Sequence, residues 1–91
     1  MKYVYVRTTH GAVRMPATYI HKRIAIHKSF PDLKTWTITE SETGHAVKTG
    51  FRTRADAKEW ATPERIEQAI KTANVLLDAE KIKPVVFYYE K

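Results

Sequence analysis

The stretch from residue 36 to residue 61, WTITESETGHAVKTGFRTRADAKEWA, constrains the fold of this chain more than any other segment. Trp36 and Ile38 alternate with threonines, so one face of a strand is apolar and the other carries hydroxyl groups. Gly44 can adopt the positive φ of a turn, and a second strand is predicted over residues 45–51. The segment therefore predicts a β-hairpin.

Two helices are predicted after the hairpin. Thr53 stands at an N-cap position with Asp56 three residues later, an arrangement close to a capping box. Thr62 caps a second helix, predicted over residues 63–81, because Pro63 suits the first helical position. The alternative is one kinked helix. The apolar stripe of the short helix is Ala57, Trp60 and Ala61, and that of the longer helix is Ile66, Ala69, Ile70, Ala73, Leu76 and Leu77.

Three further strands complete the predicted architecture. Residues 2–8 and 18–28 alternate apolar and polar positions, and residues 85–89 are apolar on both faces. We therefore expect an α+β protein, with a single antiparallel sheet of four to five strands and one short and one longer helix packed on one face. A length of 91 residues predicts a single domain over residues 1–91.

Composition excludes several classes of protein. The chain has no cysteine, so disulfides and thiolate chemistry are excluded. No apolar run reaches the ~20 residues of a membrane span, and we expect no signal peptide and no membrane partner. These features predict a cytoplasmic protein.

The net charge of +6 is concentrated at one end of the chain. Residues 1–36 contain seven basic groups and one acid, while the remainder is balanced. A one-sided excess predicts a polyanionic partner, either nucleic acid or the acidic surface of a protein. A solvated surface that maintains solubility is the alternative interpretation.

No residue pattern predicts catalysis. His21 and His27 lie ~20 Å apart on the predicted strand, too far to share a metal ion. The carboxylates of Glu40 and Glu42 are expected to be solvated charges at the hairpin tip, and the nucleophile and phosphate-loop motifs are missing. We therefore expect no catalytic residue, metal or cofactor and no enzyme activity. A small nuclease is the third-ranked reading.

Aromatic and basic residues interleave on the strand faces of the N-terminal segment. If Val4 and Val6 face the helices, the aromatic rings on the opposite face can stack on bases while its basic side chains contact phosphates. The same face can equally form a protein interface. Alternatively, Tyr3 and Tyr5 form the core face. The residues predicted to bind the partner are Tyr3, Tyr5, Arg7, Tyr19, His21, Arg23, His27 and Lys28. Charge reversal of both arginines is expected to weaken binding without loss of the fold.

Residues 36–61 resemble the AP2-like arm-binding domains of phage and transposon integrases. Those domains combine a strand with Trp, a Gly turn, a second strand, a Gly-Phe-x-Thr segment and a short helix with Trp. Similar segments occur in small phage accessory proteins, including some anti-CRISPR proteins. The resemblance covers roughly a quarter to a third of the chain. The matching residues are Trp36, Gly44, Gly50, Phe51, Thr53, Arg54, Ala57 and Trp60.

The resemblance implies a three-stranded sheet lying in the DNA major groove, but this hairpin carries Glu40 and Glu42 and offers only Lys48 and Arg52 to phosphates. We therefore expect the hairpin to be scaffold, with binding shifted to the N-terminal segment. The predicted function is a non-catalytic, phage-like accessory protein that binds a host nucleoprotein complex stoichiometrically, as an anti-CRISPR-type inhibitor in the host cytoplasm. The alternative is a direct DNA- or RNA-binding module or small regulator. Homodimerisation is left open.

Overall fold

Six strands and two helices form the described part of the chain, which comprises residues 2–8, 11–30 and 33–78 of a computed structural model. The expected α+β class is confirmed. The predicted strand over residues 85–89 and the end of the long helix, residues 79–81, lie outside the described residues. In chain order the elements are β1 (Tyr3–Thr8), β2 (Gly11–Pro16), β3 (Thr18–His21), β4 (Ile24–Lys28), β5 (Trp36–Glu40), β6 (Ala46–Phe51), α1 (Arg54–Trp60) and α2 (Pro63–Asp78).

The strands form two antiparallel sheets, so the expected single sheet is corrected. β1 pairs with β2 in a two-stranded sheet, and the other sheet has the order β3-β4-β5-β6. The segment predicted as one long strand, residues 18–28, turns back at Lys22 and Arg23, which brings Thr18 opposite Ile26. The hairpin formed by β5 and β6 is confirmed, and Gly44 has a φ of 72°.

The four-stranded sheet is covered on both faces, because successive residues of a strand point to opposite sides. Ile24 and Ile26 are buried on the side of the helices, in a cluster with Ile38 and Ala57. Ala25, between them, is buried on the other side, beneath the hairpin of β1 and β2. The described part of the chain thus has three layers. Burial of each isoleucine contributes roughly 1.5–3 kcal/mol.

Val4 and Val6 form the apolar face of β1, as expected, but they do not face the helices. They are buried with Met15 of β2 against Ala25, on the opposite face of the four-stranded sheet. The expectation assumed a sheet with one covered face. The hairpin of β1 and β2 supplies a second cover, so the helices and the valines lie on opposite sides of the sheet.

Both predicted helix caps are confirmed. The hydroxyl of Thr53 accepts a hydrogen bond from the backbone N–H of Asp56 at 3.0 Å. The hydroxyl of Thr62 accepts one from the backbone N–H of Arg65 at 3.3 Å. The chain leaves helical geometry at Ala61, where φ is −81° and ψ is 70°, so the helices are two elements and not one kinked element. The residues of α2 that pack on the core are Ile66, Ala69 and Ile70, with Ala73 buried beyond them.

Candidate partner-binding surface

A groove of about 580 Å³ lies between the beginning of β1 and strand β3. It brings together three of the residues predicted to bind a partner, Tyr3, Tyr19 and His21. Two lysines from the same charged segment extend it. We call this site the basic aromatic groove; its lining residues are Lys2, Tyr3, Tyr19, Ile20, His21 and Lys22.

The rings of the groove are held in place by cations and by one hydrogen bond. The phenol of Tyr19 donates to the backbone carbonyl of Tyr3 at 2.9 Å. Lys2 Nζ lies 5.7 Å from the ring centroid of Tyr19, and the Arg14 guanidinium lies 4.7 Å from that of Tyr3. Such contacts fix the rings while the cations stay near solvent. Burial, first among several causes, raises the pKa of Tyr19, so its phenol remains a donor at neutral pH.

A second set of cations lies on the helix side of β3. Arg54 and Lys58 of α1 line a groove of about 680 Å³ together with Tyr19 and Ile20. The guanidinium of Arg54 donates to the hydroxyl of Thr18 at 3.4 Å. Sequence reasoning treated α1 as scaffold and missed these two residues, because their proximity to β3 depends on packing between elements distant in the chain.

His27 is buried, so its predicted place on an exposed face is wrong. Only 1% of the residue is accessible. One ring nitrogen, Nδ1, lies 2.7 Å from the carbonyl oxygen of Lys28 and must donate to it, which leaves Nε2 to accept from the Thr39 hydroxyl at 2.6 Å. Burial lowers the pKa of His27. The prediction failed because the hairpin of β1 and β2 covers the face of the sheet that was expected to be exposed.

The two predicted arginines contact the turn between β5 and β6. Arg23 Nε donates to Glu40 Oε2 at 2.9 Å, and its Nη1 donates to Asn74 of α2 at 2.8 Å. Arg7 Nε donates to the carbonyl of Thr43 at 3.0 Å. The expectation that both arginines point away from the fold is therefore corrected. These contacts make both side chains part of the structure of the turn, while the effect of reversing their charges stays a prediction.

Glu40 is the centre of this turn and is not the solvated charge that the sequence suggested. The residue is 2% accessible, and its carboxylate accepts from the backbone N–H groups of Glu42 at 2.9 Å and Thr43 at 2.8 Å. Main-chain bonds from Arg7 N to Gly44 O and from Ser41 N to Arg23 O, both 2.8 Å, fasten the turn to its neighbours. We call residues 40–44 the locked turn. The exposed side chain of Glu42 matches expectation.

The two remaining predicted residues lie apart from the lining of the basic aromatic groove. Tyr5 is half-buried and pairs with Arg14 across β1 and β2. Lys28 is exposed, and its Nζ lies 4.8 Å from the ring centroid of Trp36. The structure therefore divides the eight predicted residues between the groove, the locked turn, the core and two separate positions.

Two other features bear on function. Within residues 2–8, 11–30 and 33–78, no three His, Cys, Asp or Glu side chains come together as a metal site requires. Neither α1 nor α2, the helices of the described chain, is long and apolar enough to cross a membrane.

Comparison with known proteins identifies no relative. No family model matches the chain, and neither a curated protein nor a solved structure matches it significantly. The resemblance of residues 36–61 to integrase arm-binding domains and to anti-CRISPR proteins therefore stays a prediction.

Proposed function

We propose that this chain is a non-catalytic binding protein of the phage accessory type. It acts by stoichiometric binding to a host nucleic-acid-handling complex, as an anti-CRISPR-type inhibitor does. The observation that carries the proposal is the basic aromatic groove, in which Lys2 and Lys22 flank Tyr3 and Tyr19. All four residues belong to the segment that holds the excess of positive charge.

The groove has the chemistry of a recognition surface. Tyr3 is 43% accessible, so its ring is available for contact with a partner. Tyrosine is enriched among the residues that contribute most to the free energy of binding at protein interfaces, and lysines at the rim increase the association rate with acidic partners. The phosphate backbone of the nucleic acid in such a complex is an acidic surface of this kind.

The rest of the fold supports the groove. The locked turn connects β1, the turn between β3 and β4, and α2 through Arg7, Arg23 and Asn74. These connections hold β1 and β3, which carry the two walls of the groove, in a fixed relation. A preorganised surface loses less conformational entropy on binding than a mobile one.

The test is capture from a bacterial lysate with tagged protein, with and without nuclease treatment. We compare wild type with a variant carrying Lys2→Glu and Lys22→Glu, both exposed in the groove. The matched control carries Lys48→Glu and Arg52→Glu, which are exposed elsewhere and change the net charge equally. We expect the groove variant to bind the captured partner at least ~10-fold more weakly, about 1.4 kcal/mol, and the control to bind as wild type.

Three outcomes would contradict the proposal. The groove variant binding as tightly as wild type would exclude the groove as the working surface. Capture that disappears after nuclease treatment, together with binding to bare oligonucleotides that falls steeply with salt, would identify a direct nucleic-acid-binding module instead. Absence of any partner from a host lysate would also count against stoichiometric inhibition.

A further inference from the structure

Strand β3 forms an outer edge of the four-stranded sheet. Its sequence neighbour β4 lies on one side, and among the described residues no strand pairs with its other side. An edge strand presents backbone N–H and C=O groups that can pair with another extended chain. A register irregularity between Tyr19 and His21 limits regular pairing along this edge to a few residues.

Grooves lie on both faces of the sheet along this edge. The basic aromatic groove adjoins β3 on the face covered by β1 and β2. The groove of Arg54 and Lys58 adjoins it on the helix face, followed by one of about 540 Å³ between Ile20 and α2. Side chains of an extended chain point alternately to the two faces. A strand added to β3 would therefore place its side chains alternately in grooves that already exist.

The charge around these grooves is predominantly positive. Lys2 and Lys22 lie on one face, and Arg54, Lys58 and Lys71 lie on the other. The acid that lines these grooves is Glu67, which is exposed and lies 4.0 Å from Lys71. The edge is thus complementary to an extended chain with acidic side chains on both of its faces.

We propose that β3 captures an extended, acidic segment of a partner protein by β-strand addition. The inference rests on the proposed function, because it names how the partner is held at the same surface. A polypeptide fits better than a nucleic acid strand, because the alternating N–H and C=O groups of β3 match a peptide backbone. Main-chain pairing provides affinity, and the flanking cations select acidic side chains.

The probe, called the Glu-Val peptide, is a fluorescein-labelled peptide of about ten residues in which pairs of Glu alternate with pairs of Val, so that each face of the extended chain carries acidic side chains. One control peptide of the same sequence carries an N-methyl group on every residue, which removes the backbone donors from both of its edges. A second control has Lys in place of Glu, and a single-stranded oligothymidylate of similar length represents nucleic acid. We expect the Glu-Val peptide to bind, and each of the two control peptides to bind at least ~10-fold more weakly.

Hydrogen exchange of the protein gives an independent readout. Binding of the Glu-Val peptide should slow amide exchange within Thr18–His21 and leave β6, the opposite edge, unchanged. A variant carrying Lys22→Glu and Lys58→Glu should lose at least ~10-fold in affinity for this peptide. The control variant carrying Lys48→Glu and Arg52→Glu should not.

Binding of the N-methylated peptide as tight as that of the Glu-Val peptide, protection at β6 instead of β3, or tighter binding of oligothymidylate than of the Glu-Val peptide would overturn strand addition. If a lysate partner is captured through Lys2 and Lys22 while the Glu-Val peptide does not bind, strand addition is wrong and the proposed function stands. If the peptide binds at β3 and the lysate yields no partner, strand addition stands and the proposed function is wrong.

Discussion

Lys22 and Arg23 are neighbours in the turn between β3 and β4, yet they belong to two different regions of the molecule. Lys22 is exposed and lines the basic aromatic groove. The Arg23 side chain is 24% accessible and forms an ion pair with the buried Glu40 in the locked turn. Both regions take their cations from the same N-terminal segment, but of the two only the groove keeps them exposed.

The comparison shows that net charge gives the number of charged side chains but not how many of them are exposed and uncompensated. In the locked turn, Arg23 is matched by a carboxylate and by Asn74, so its field is largely compensated. In the groove, Lys2 contacts an aromatic ring, which orients the cation without neutralising it. The locked turn therefore contributes stability, and the groove is the region with charge left for binding.

The largest expected effect is in the locked turn. Glu40→Ala should lower the free energy of unfolding by ~3–5 kcal/mol, because it leaves Arg23 and two backbone N–H groups without their acceptor. Urea denaturation followed by circular dichroism measures the change. If that variant does not fold, Glu40→Gln, which keeps an acceptor oxygen but loses the charge, should still lose ~1.5–3 kcal/mol.

Glu42→Ala is the matched control, since this side chain is exposed two residues further along the same turn. We expect it to change the free energy of unfolding by less than ~0.5 kcal/mol. Similar losses for the two variants would show that the turn is not locked by the carboxylate of Glu40, and the contrast between the two regions would fail.

The next effect concerns the buried face beneath the hairpin of β1 and β2. His27→Phe keeps a ring of similar size but leaves the Thr39 hydroxyl and the Lys28 carbonyl without their partner. We expect a loss of ~1–3 kcal/mol at pH 7.5, measured by urea denaturation. Binding at the groove should be unchanged, because the ring of His27 lies in the core; a binding defect in the folded variant would contradict the separation of the two regions.

The same histidine should make stability depend on pH. Burial lowers the pKa of His27 from its ordinary value of 6.5, against the opposing effect of its hydrogen bond to Lys28. Below pH 6.5 the unfolded chain therefore binds more protons than the folded chain, so stability is complete above that pH and declines as the pH falls toward the folded pKa. Partial burial, and next the positive charge of Arg7, also lower the pKa of His45, while the negative charge of Glu40 raises it.

Thermal melts between pH 7.5 and 5 should thus show a falling midpoint for wild type. The slope should be smaller for His27→Phe and for His45→Gln, since each variant removes one contributor. A midpoint that rises on acidification would contradict the assigned direction of both pKa shifts.

A smaller effect is expected at the cap of α1, the helix that carries Arg54 and Lys58. Thr53→Ala should lower stability by ~1 kcal/mol, because the backbone N–H of Asp56 loses its acceptor at 3.0 Å. Thr53→Ser retains the hydroxyl and should remain close to wild type. An unchanged urea midpoint for Thr53→Ala would show that the cap does not hold the helix side of β3.

The parts of the fold that could be predicted from the sequence depend on local signals. The β5–β6 hairpin, the turn at Gly44 and the caps at Thr53 and Thr62 each involve residues within a few positions of one another. The other two hairpins were less visible. In the hairpin of β1 and β2, strand β2 ends at Pro16, which argues against a regular strand. Between β3 and β4, the turn at Lys22 and Arg23 lacks the usual turn residues.

Alternation along the strands identified only part of the candidate site. The groove residues Tyr3, Tyr19 and His21 lie on strands that were recognised in part. The role of Arg23 depends on Glu40 and Asn74, which lie 17 and 51 positions away and which no local pattern encodes. Alternation on a strand says which side chains share a face, but not whether a second layer covers that face.

The last substitution should have the smallest effect on stability and a clear effect on binding. It therefore separates the roles of the two regions. Lys22→Ala should change the free energy of unfolding by less than ~0.5 kcal/mol, because the side chain is exposed and its backbone stays in place. Lys48→Ala, on the opposite edge of the sheet, is the matched control. Titration with the captured partner should then show weaker binding for Lys22→Ala alone. Equal binding by both variants, or a stability loss at Lys22 approaching that of Glu40→Ala, would mean that adjacent cations at this turn do not divide between recognition and stability.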